Sequence, residues 1–475
     1  MKTRAFFFFF SLAASLLAEE EHPPSFVTTQ HEILLESGPL AYEATTGTLE
    51  IQFESEALAS FFFIAYTKEG PDRPITFVFP GGPGGAGTHE AIVSFGPRRL
   101  PTASEGRSIL PPYRLIDNPE TLLDLTDLVF VDPINCGYSR CENDDLLPYF
   151  CSTEGDIQIL GEFVHAYVAQ FNRWNSPKYL AGGSYGTLRC CGLALNLLQY
   201  DLWTHGILLH GCAFESSTLF SERDRFLPDA FLIPTFAATA WHHGRLWPEK
   251  SLYETIDYAR RFVYDTYIPA LMQPSRLSLP EQTAFYQQLA HLIGLPFETV
   301  SKSLGRINES LFTSEFFSSD RKVLGGLDTR YVGDFDTISP SGQDPSYLDS
   351  VGISAAFNTY LQTELKTTPP ASKYVSFSWD VLYDWRTGTY DSRGEPDLLQ
   401  RLRIVMIYNP YMKVFAGCGY FDCRTPFAAA EYCFDHLGLP NPNLQFEYYP
   451  AGHAFILDHP SLKKFKRDLT SFYKE

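Results

Sequence analysis

The run Tyr179-Leu180-Ala181-Gly182-Gly183-Ser184-Tyr185-Gly186 sets one serine inside G-x-S-x-G, between an apolar, strand-like stretch and the helix-compatible run Leu188 to Leu198. A serine on so tight a strand-to-helix turn projects its hydroxyl out of the fold, and the glycines let the backbone close around it. The hydroxyl attacks a carbonyl when a histidine takes its proton and a carboxylate holds the histidine. On such a scaffold the chain order is serine, acid, histidine. Two later strand ends supply the partners: Lys413 to Ala416 leads to Asp422, and Leu444 to Tyr449 leads to Pro450-Ala451-Gly452-His453. Ser184 is thus the expected nucleophile and His453 the base that returns the proton to the leaving group. Asp422 is expected to orient the ring and stabilise its cation. Taken singly, each has a duller explanation as a turn aspartate, a packed histidine and a tight connection. Their order, with each at a strand end, argues for chemistry.

A second element precedes the serine. Ile75 to Phe79 reads as a buried strand and ends in Pro80-Gly81-Gly82-Pro83-Gly84-Gly85. Backbone N–H groups of such a loop can face a developing oxyanion, and Gly82 is the expected donor together with the N–H of Tyr185. Gly81 and Gly183 beside them are the expected substrate contacts. A phosphate-binding loop is the competing reading, but no Lys-Ser/Thr follows and two prolines interrupt it. Arg189 and His89 are read as structural or solvated side chains rather than substrate ligands. The nine cysteines form no C-x-x-C pair and match no histidine pair, so no zinc site is expected.

The elements that would position these residues alternate. Strand patterns at Leu49 to Phe53, Ser60 to Tyr66, Ile75 to Phe79 and Asp127 to Val131 precede a helical stretch, Gln158 to Asn172, and the serine strand and helix. Another strand is expected at Gly206 to His210. Such alternation predicts an α/β fold with a mainly parallel central sheet covered by helices on both faces. From about residue 228 to 315 the pattern is helical, and 331 to 348 reads as a loop. Strand character is expected again at Arg403 to Ile407 and Lys413 to Ala416. A helix at Pro426 to Leu437, the strand Leu444 to Tyr449 and a helix from Ser461 follow. The division predicted is a signal peptide over 1–18, a core over 19–217, a mostly helical cap inserted over 218–400, and the rest of the core over 401–475.

The chain has 475 residues, 44% of them hydrophobic and 15% aromatic, which suits a large globular catalytic domain and not a disordered chain. A formal charge of −19 without a basic stripe argues against nucleic-acid and anionic-membrane partners. Lys2 and Arg4, the apolar run Ala5 to Leu17, and Ala18 before Glu19-Glu20-Glu21 read as an export signal, although Leu16 fits the small-x-small cleavage rule poorly. An exported protein, periplasmic or secreted, with no stable membrane insertion is therefore expected. Its cysteines are expected to be mostly buried apolar side chains with one or two disulfides.

At these residues the chain resembles the serine carboxypeptidase family, especially its bacterial branch. The likeness is carried by Gly81-Gly82-Pro83-Gly84, Phe95-Gly96-Pro97-Arg98-Arg99, Phe130-Val131-Asp132-Pro133, Gly137-Tyr138-Ser139-Arg140, Gly182-x-Ser184-Tyr185-Gly186-Thr187, Gly419-Tyr420-Phe421-Asp422-x-x-Thr425-Pro426 and Tyr449-x-x-Gly452-His453. Weaker similarity includes Leu327-Asp328-Thr329-Arg330. The resemblance implies an α/β-hydrolase fold with a large helical cap insertion and the triad Ser184, Asp422 and His453. It also implies release of C-terminal residues from peptides through an acyl-enzyme, without metal or organic cofactor. Family members usually carry Asn before Gly-Gly-Pro-Gly and Glu before the nucleophile, where this chain has Pro80 and Gly183. A further glutamate of eukaryotic members falls near Ser94. In the family these side chains bind the substrate's free carboxylate, so that clamp is expected to be missing here. The substrate is read as a peptide or small acyl compound; an esterase or acyltransferase, or a non-catalytic binding protein, are the alternatives. Oligomeric state is not readable from the sequence.

Overall fold

The structure is a computed structural model that describes residues 26–474 apart from 54–56, 223–224, 336–343, 347–351, 369–371, 388–396 and 439–442. The expected export signal lies outside the described residues.

One sheet organises the core. Its main strands are β1 (Phe26–Leu35), β2 (Gly38–Phe53), β3 (Ala57–Thr67), β4 (Ile75–Phe79), β5 (Asp127–Val131), β6 (Lys178–Gly183), β7 (Thr204–His210), β8 (Lys413–Gly419) and β9 (Leu444–Tyr449), and a short strand, Arg140–Cys141, pairs with β3 off this path. They lie in the order β1-β2-β3-β5-β4-β6-β7-β8-β9. The first three form an antiparallel meander and β5 joins it antiparallel; from β5 through β4 to β9 every pairing is parallel. The sequence explains the difference. β4, β5 and β6 are apolar runs buried along their whole length, as parallel strands covered on both faces must be. β2 alternates buried and exposed positions over much of its length, as a strand with one wet face does.

Helices cover both faces. On one, Phe77 and Phe79 of β4 pack with Ile157, Leu160 and Phe163 of α1 (Thr153–Gln170), Leu193 and Leu197 of α2 (Tyr185–Gln199), and Leu402. On the other, Val78 meets a core that includes Phe357 and Tyr360 of the helix Ile353–Thr363 and Phe465, Leu469 and Phe472 of the C-terminal helix His459–Lys474. Strand exchange at β3-β5-β4 with helices on both sides is the α/β-hydrolase arrangement.

Between β7 and β8 the chain builds a helical body with its own core, from α3 (Leu227–His242), α4 (Leu252–Phe262) and α5 (Leu279–Ile293). Cys423 belongs to that core, so the inserted helices rest directly against the loop that carries Asp422.

Two expectations are corrected. Arg403 to Ile407 is not a strand: it lies in the helix Leu398–Tyr408, whose N-terminus is capped by Asp397 accepting from Gln400 N–H. Leu398, Leu399, Leu402, Val405 and Met406 are its buried residues, a helical spacing that a short β-branched run concealed. The helix crosses the boundary expected at residue 400. All nine cysteines are buried and free, so the expected disulfides are not formed. No helix among the described residues is long and apolar enough to cross a membrane.

Candidate active site

Ser184 sits between the end of β6 and the first residue of α2, with φ 54° and ψ −124°. A non-glycine residue there stores backbone strain, and the surroundings enforce it. Its N–H donates to the His210 carbonyl at the end of β7 (2.9 Å), and its carbonyl accepts from the N–H (2.9 Å) and hydroxyl (2.7 Å) of Thr187. The turn closes only because Gly186 has no side chain: a Cβ there would lie 2.6 Å from the Phe79 carbonyl oxygen.

The parallel strands deliver the other groups to the same end of the sheet. β8 ends at Gly419, and Asp422 follows with no exposed surface. One carboxylate oxygen accepts from the backbone N–H groups of Arg424 (2.8 Å) and Thr425 (3.0 Å). The other accepts from the Thr425 hydroxyl (2.6 Å) and lies 2.7 Å from His453 Nδ1. A carboxylate so supplied with donors stays ionised when buried. Burial alone raises the Asp422 pKa, but the His453 charge and these hydrogen bonds outweigh it and hold the pKa below the ordinary range. Burial likewise pulls the His453 pKa down, and the Asp422 charge and hydrogen bond lift it above the ordinary histidine value.

The structure therefore brings Asp422 and His453 into direct contact. No hydrogen bond joins Ser184 to His453 among the described residues. The link runs through Gly211, where a Cβ would meet His453 Cε1 at 3.0 Å, next to His210 whose carbonyl holds Ser184. Catalytic hydrogen bonds are often loose before substrate binds.

The glycine loop closes on the serine from the β4 side. A Cβ at Gly81 would lie 2.8 Å from Ser184 Cβ and 3.5 Å from its Oγ. Among the described residues neither the Gly82 N–H nor the Tyr185 N–H has an acceptor, the latter being the first residue of a helix. One unspent donor thus follows Ser184 in the chain and the other follows Gly81, which packs on Ser184. Gly183 has a close neighbour of its own. Its position faces the His210 imidazole, with the Cβ site 2.2 Å from His210 Cε1 and 2.7 Å from Nε2. That ring lies among Phe95, Phe455 and Phe465, and its Nε2 is buried without a partner. Burial, reinforced by nearby His453, pushes its pKa down to about 3, so it is neutral.

Arg189 and His89 are structural, as expected. Arg189 pairs with Asp156 (2.6 Å) and donates to the Pro80 carbonyl (2.5 Å), tying α2 to the start of the glycine loop. The His89 ring meets the Tyr374 hydroxyl. Asp132 holds the far end of the loop by accepting from Gly87 N–H, Thr88 N–H and the Thr88 hydroxyl. Glu90 follows, and its Oε2 is buried and unpartnered; burial, against the pull of Arg189, pushes its pKa up to about 8. No cluster of metal-ligating side chains occurs among the described residues. A cavity of about 570 Å³ lined by Arg73, Asp127 and Arg173 lies at the opposite end of β5 and is separate from this site.

Residues 36–202 match the family model described as "Serine carboxypeptidase". The N-terminal part of the core is serine carboxypeptidase-like. Among curated proteins, "Serine carboxypeptidase-like 2" of Arabidopsis thaliana is 24% identical over 181 residues, 35% of this chain and 40% of the relative. "Serine carboxypeptidase-like 14" of the same plant is 24% identical over 217 residues, 40% of this chain and 48% of the relative. The chain thus spans less than half the length of these serine carboxypeptidase-like relatives. Among solved structures, "VinJ" aligns over 90% of this chain and 98% of its own at 12% identity and a TM-score of 0.39. The serine carboxypeptidase match includes the glycine loop and the serine elbow; Asp422 and His453 lie beyond it, and their pairing rests on the geometry above.

Three features here have no counterpart among the site residues the sequence points to. Thr425 supports Asp422 and also lies 3.1 Å from His453 Nδ1. Asp328 and Arg330, from the inserted segment, form a buried pair that grips the histidine loop: Asp328 accepts from Gly452 N–H (3.0 Å), Arg330 donates to the Pro450 carbonyl (3.1 Å), and Leu327 accepts from His453 N–H (2.6 Å). His210 is the third. The motif stretches Leu327-Asp328-Thr329-Arg330 and Thr425-Pro426 were visible in the sequence, but what they hold was not.

Proposed function

We propose that the protein is an exported serine hydrolase of carboxypeptidase-like type that cleaves peptide or small acyl substrates through an acyl-enzyme. The observation that carries this reading is the 2.7 Å contact between Asp422 and His453, in a chain that also sets Ser184 on a strained strand-to-helix turn. In the reaction, Ser184 Oγ attacks the substrate carbonyl carbon while His453 Nε2 takes its proton. Asp422 stabilises the imidazolium that results. The carbonyl oxygen becomes an oxyanion and takes hydrogen bonds from Gly82 and Tyr185 N–H. His453 then protonates the leaving amine or alcohol as the C–N or C–O bond breaks. Water, deprotonated by His453, hydrolyses the acyl-serine by the same route in reverse.

Recognition of a free C-terminus is the weaker part of the family resemblance. Pro80 carries no side-chain donor and Gly183 no side chain, and the room beside Gly183 is taken by His210. This favours a hydrolase that does not demand a free carboxylate, and it keeps ester hydrolysis or acyl transfer as the second reading. The test begins with fluorophosphonate labelling, expected at Ser184 and lost in Ser184→Ala. Absence of labelling would point to a non-catalytic protein. A blocked peptide is then compared as free acid, C-terminal amide and ester. Comparable rates for acid and amide support the reading, and a strong preference for the free acid with an acidic optimum overturns it.

A further inference from the structure

The segment 374–386 is laid across the oxyanion side of the site. Val375 exchanges both backbone hydrogen bonds with Gly137 (2.7 and 3.1 Å). Ser378 N–H donates to the Gly84 carbonyl (2.7 Å) and Ala86 N–H to the Ser376 carbonyl (3.0 Å), so Phe377 pairs with Gly85 as an added antiparallel strand residue. Arg386 is bonded by backbone to Cys151 and Thr153, and the Trp385 ring meets the Tyr185 ring edge to face at 5.2 Å. The strap is fixed at both ends and its middle is pressed on the loop that carries Gly82.

This strap exposes aromatic side chains. Phe377, Trp379 and Tyr383 are 37%, 52% and 78% exposed. They form one cluster: Phe377 and Trp379 have ring centroids 4.9 Å apart, and Trp379 stacks on Tyr383 at 5.9 Å and 27°. Rings of this size are normally buried, and a contiguous exposed group marks a contact surface. Gly84, on which the strap rests, is two residues from Gly82, a span of about 7.6 Å at most. A substrate with its carbonyl between Gly82 and Tyr185 therefore needs only a residue or two to reach the cluster. Asp380 and Asp384 are exposed on the same short helix, so the surface favours neutral or cationic groups over anionic ones.

We propose that Phe377, Trp379 and Tyr383 form a substrate subsite that stacks on an aromatic, uncharged or cationic group near the scissile carbonyl. The proposal rests on the hydrolase reading above and names the class of substrate it acts on. A ring stacked face or edge onto Trp379 is worth roughly three- to tenfold in rate or affinity.

The test compares the rates at which two fluorophosphonates label Ser184, one with an ethyl tail and one with a naphthylmethyl tail. The aromatic probe is expected to react faster. Trp379→Ala and Phe377→Ala together should bring the ratio of the two rates close to one by slowing the aromatic probe more than the ethyl probe, and Trp379→Tyr should restore the preference. An unchanged ratio overturns the proposal, as does an equal fall for both probes, which would show a structural role for the strap. If neither probe labels Ser184, the hydrolase reading fails on its own. The subsite is then read by quenching of tryptophan fluorescence with 4-nitrophenylalanine amide. Saturable quenching that disappears in Trp379→Phe keeps the ring-binding site; no saturable quenching overturns it, and the cluster is then a surface for something other than a small aromatic ligand.

Discussion

Gly183→Ala is the smallest change that tests whether His210 occupies the place beside Ser184. The added methyl carbon would sit 2.2 Å from Cε1, 2.7 Å from Nε2 and 2.9 Å from Nδ1 of the His210 ring. Comfortable carbon contacts begin near 3.5 Å, so the ring must retreat by more than about 1 Å. It has little room: Phe95, Phe455 and Phe465 surround it at centroid distances of 6.0, 6.0 and 6.4 Å. Overpacking of this kind costs about 1–3 kcal/mol. The displacement also reaches the site, because the His210 carbonyl holds the Ser184 N–H. We expect urea unfolding to show a loss in that range, with slower fluorophosphonate labelling of Ser184. His210→Ala alone leaves a cavity but removes an unpartnered buried nitrogen, so its cost is partly offset. In Gly183→Ala/His210→Ala the methyl group has space, and the double variant should be more stable than the sum of the singles predicts by about 1–2 kcal/mol. A Gly183→Ala protein within about 0.5 kcal/mol of the parent, with singles that simply add, would refute the contact. The same crowding predicts that a glutamate placed at 183 fits only when His210 is also replaced by a smaller residue.

Further outcomes follow from the charges. Asp422→Asn should lower kcat about 10³–10⁴-fold, and because Asp422 is what raises the His453 pKa, the acid limb of the pH–rate profile should move to lower pH; an unmoved limb would show that another group sets it. The two partners act on stability in opposite directions. The depressed Asp422 pKa contributes stability that is present above the ordinary carboxyl range and lost as pH falls through the lowered value. The raised His453 pKa contributes stability that is present below the ordinary histidine value and lost as pH rises through the elevated one. Denaturant melts of the parent and of His453→Gln across pH should separate the two. Glu90→Gln should stabilise the protein at alkaline pH: the buried carboxyl, pushed up to about 8, costs stability as pH rises from the ordinary carboxyl range toward that value, and stability curves of the two proteins should diverge across that window and coincide below it. Arg330→Met leaves Asp328 buried and unpaired beneath the histidine loop and should cost about 3–5 kcal/mol, with a loss of labelling rate at temperatures where the variant remains folded.

Much of the core was legible because its signals are local. Ile75 to Phe79, Asp127 to Val131 and Leu444 to Tyr449 are strands over the residues expected, since short apolar runs bounded by turn residues have few other uses. The serine helix begins three residues earlier than expected, at Tyr185, because the elbow strain ends abruptly at Ser184. Arg403 to Ile407 was misread since Ile404-Val405-Met406-Ile407 has the composition of a strand, and the apolar spacing that makes it helical begins before it, at Leu398. The free state of the nine cysteines depends on which of them approach one another, which spacing does not tell.

By itself the sequence determined the chemistry on offer: a serine inside G-x-S-x-G, a loop of glycines after a buried strand, and an acid and a histidine each just past a strand. Those are consequences of residue type and local periodicity. Only the tertiary structure decided which groups meet. Parallel strands carry Asp422 and His453, 31 residues apart, to one end of the sheet at 2.7 Å. The inserted helical body sends Asp328 and Arg330 back under the histidine loop. β7 delivers His210 into the space that Gly183 leaves open, and a distant strap lays three exposed rings beside the oxyanion loop. These are contacts between segments far apart in the chain, made by the sheet order and the docking of the insertion, and no pattern within a single segment encodes them.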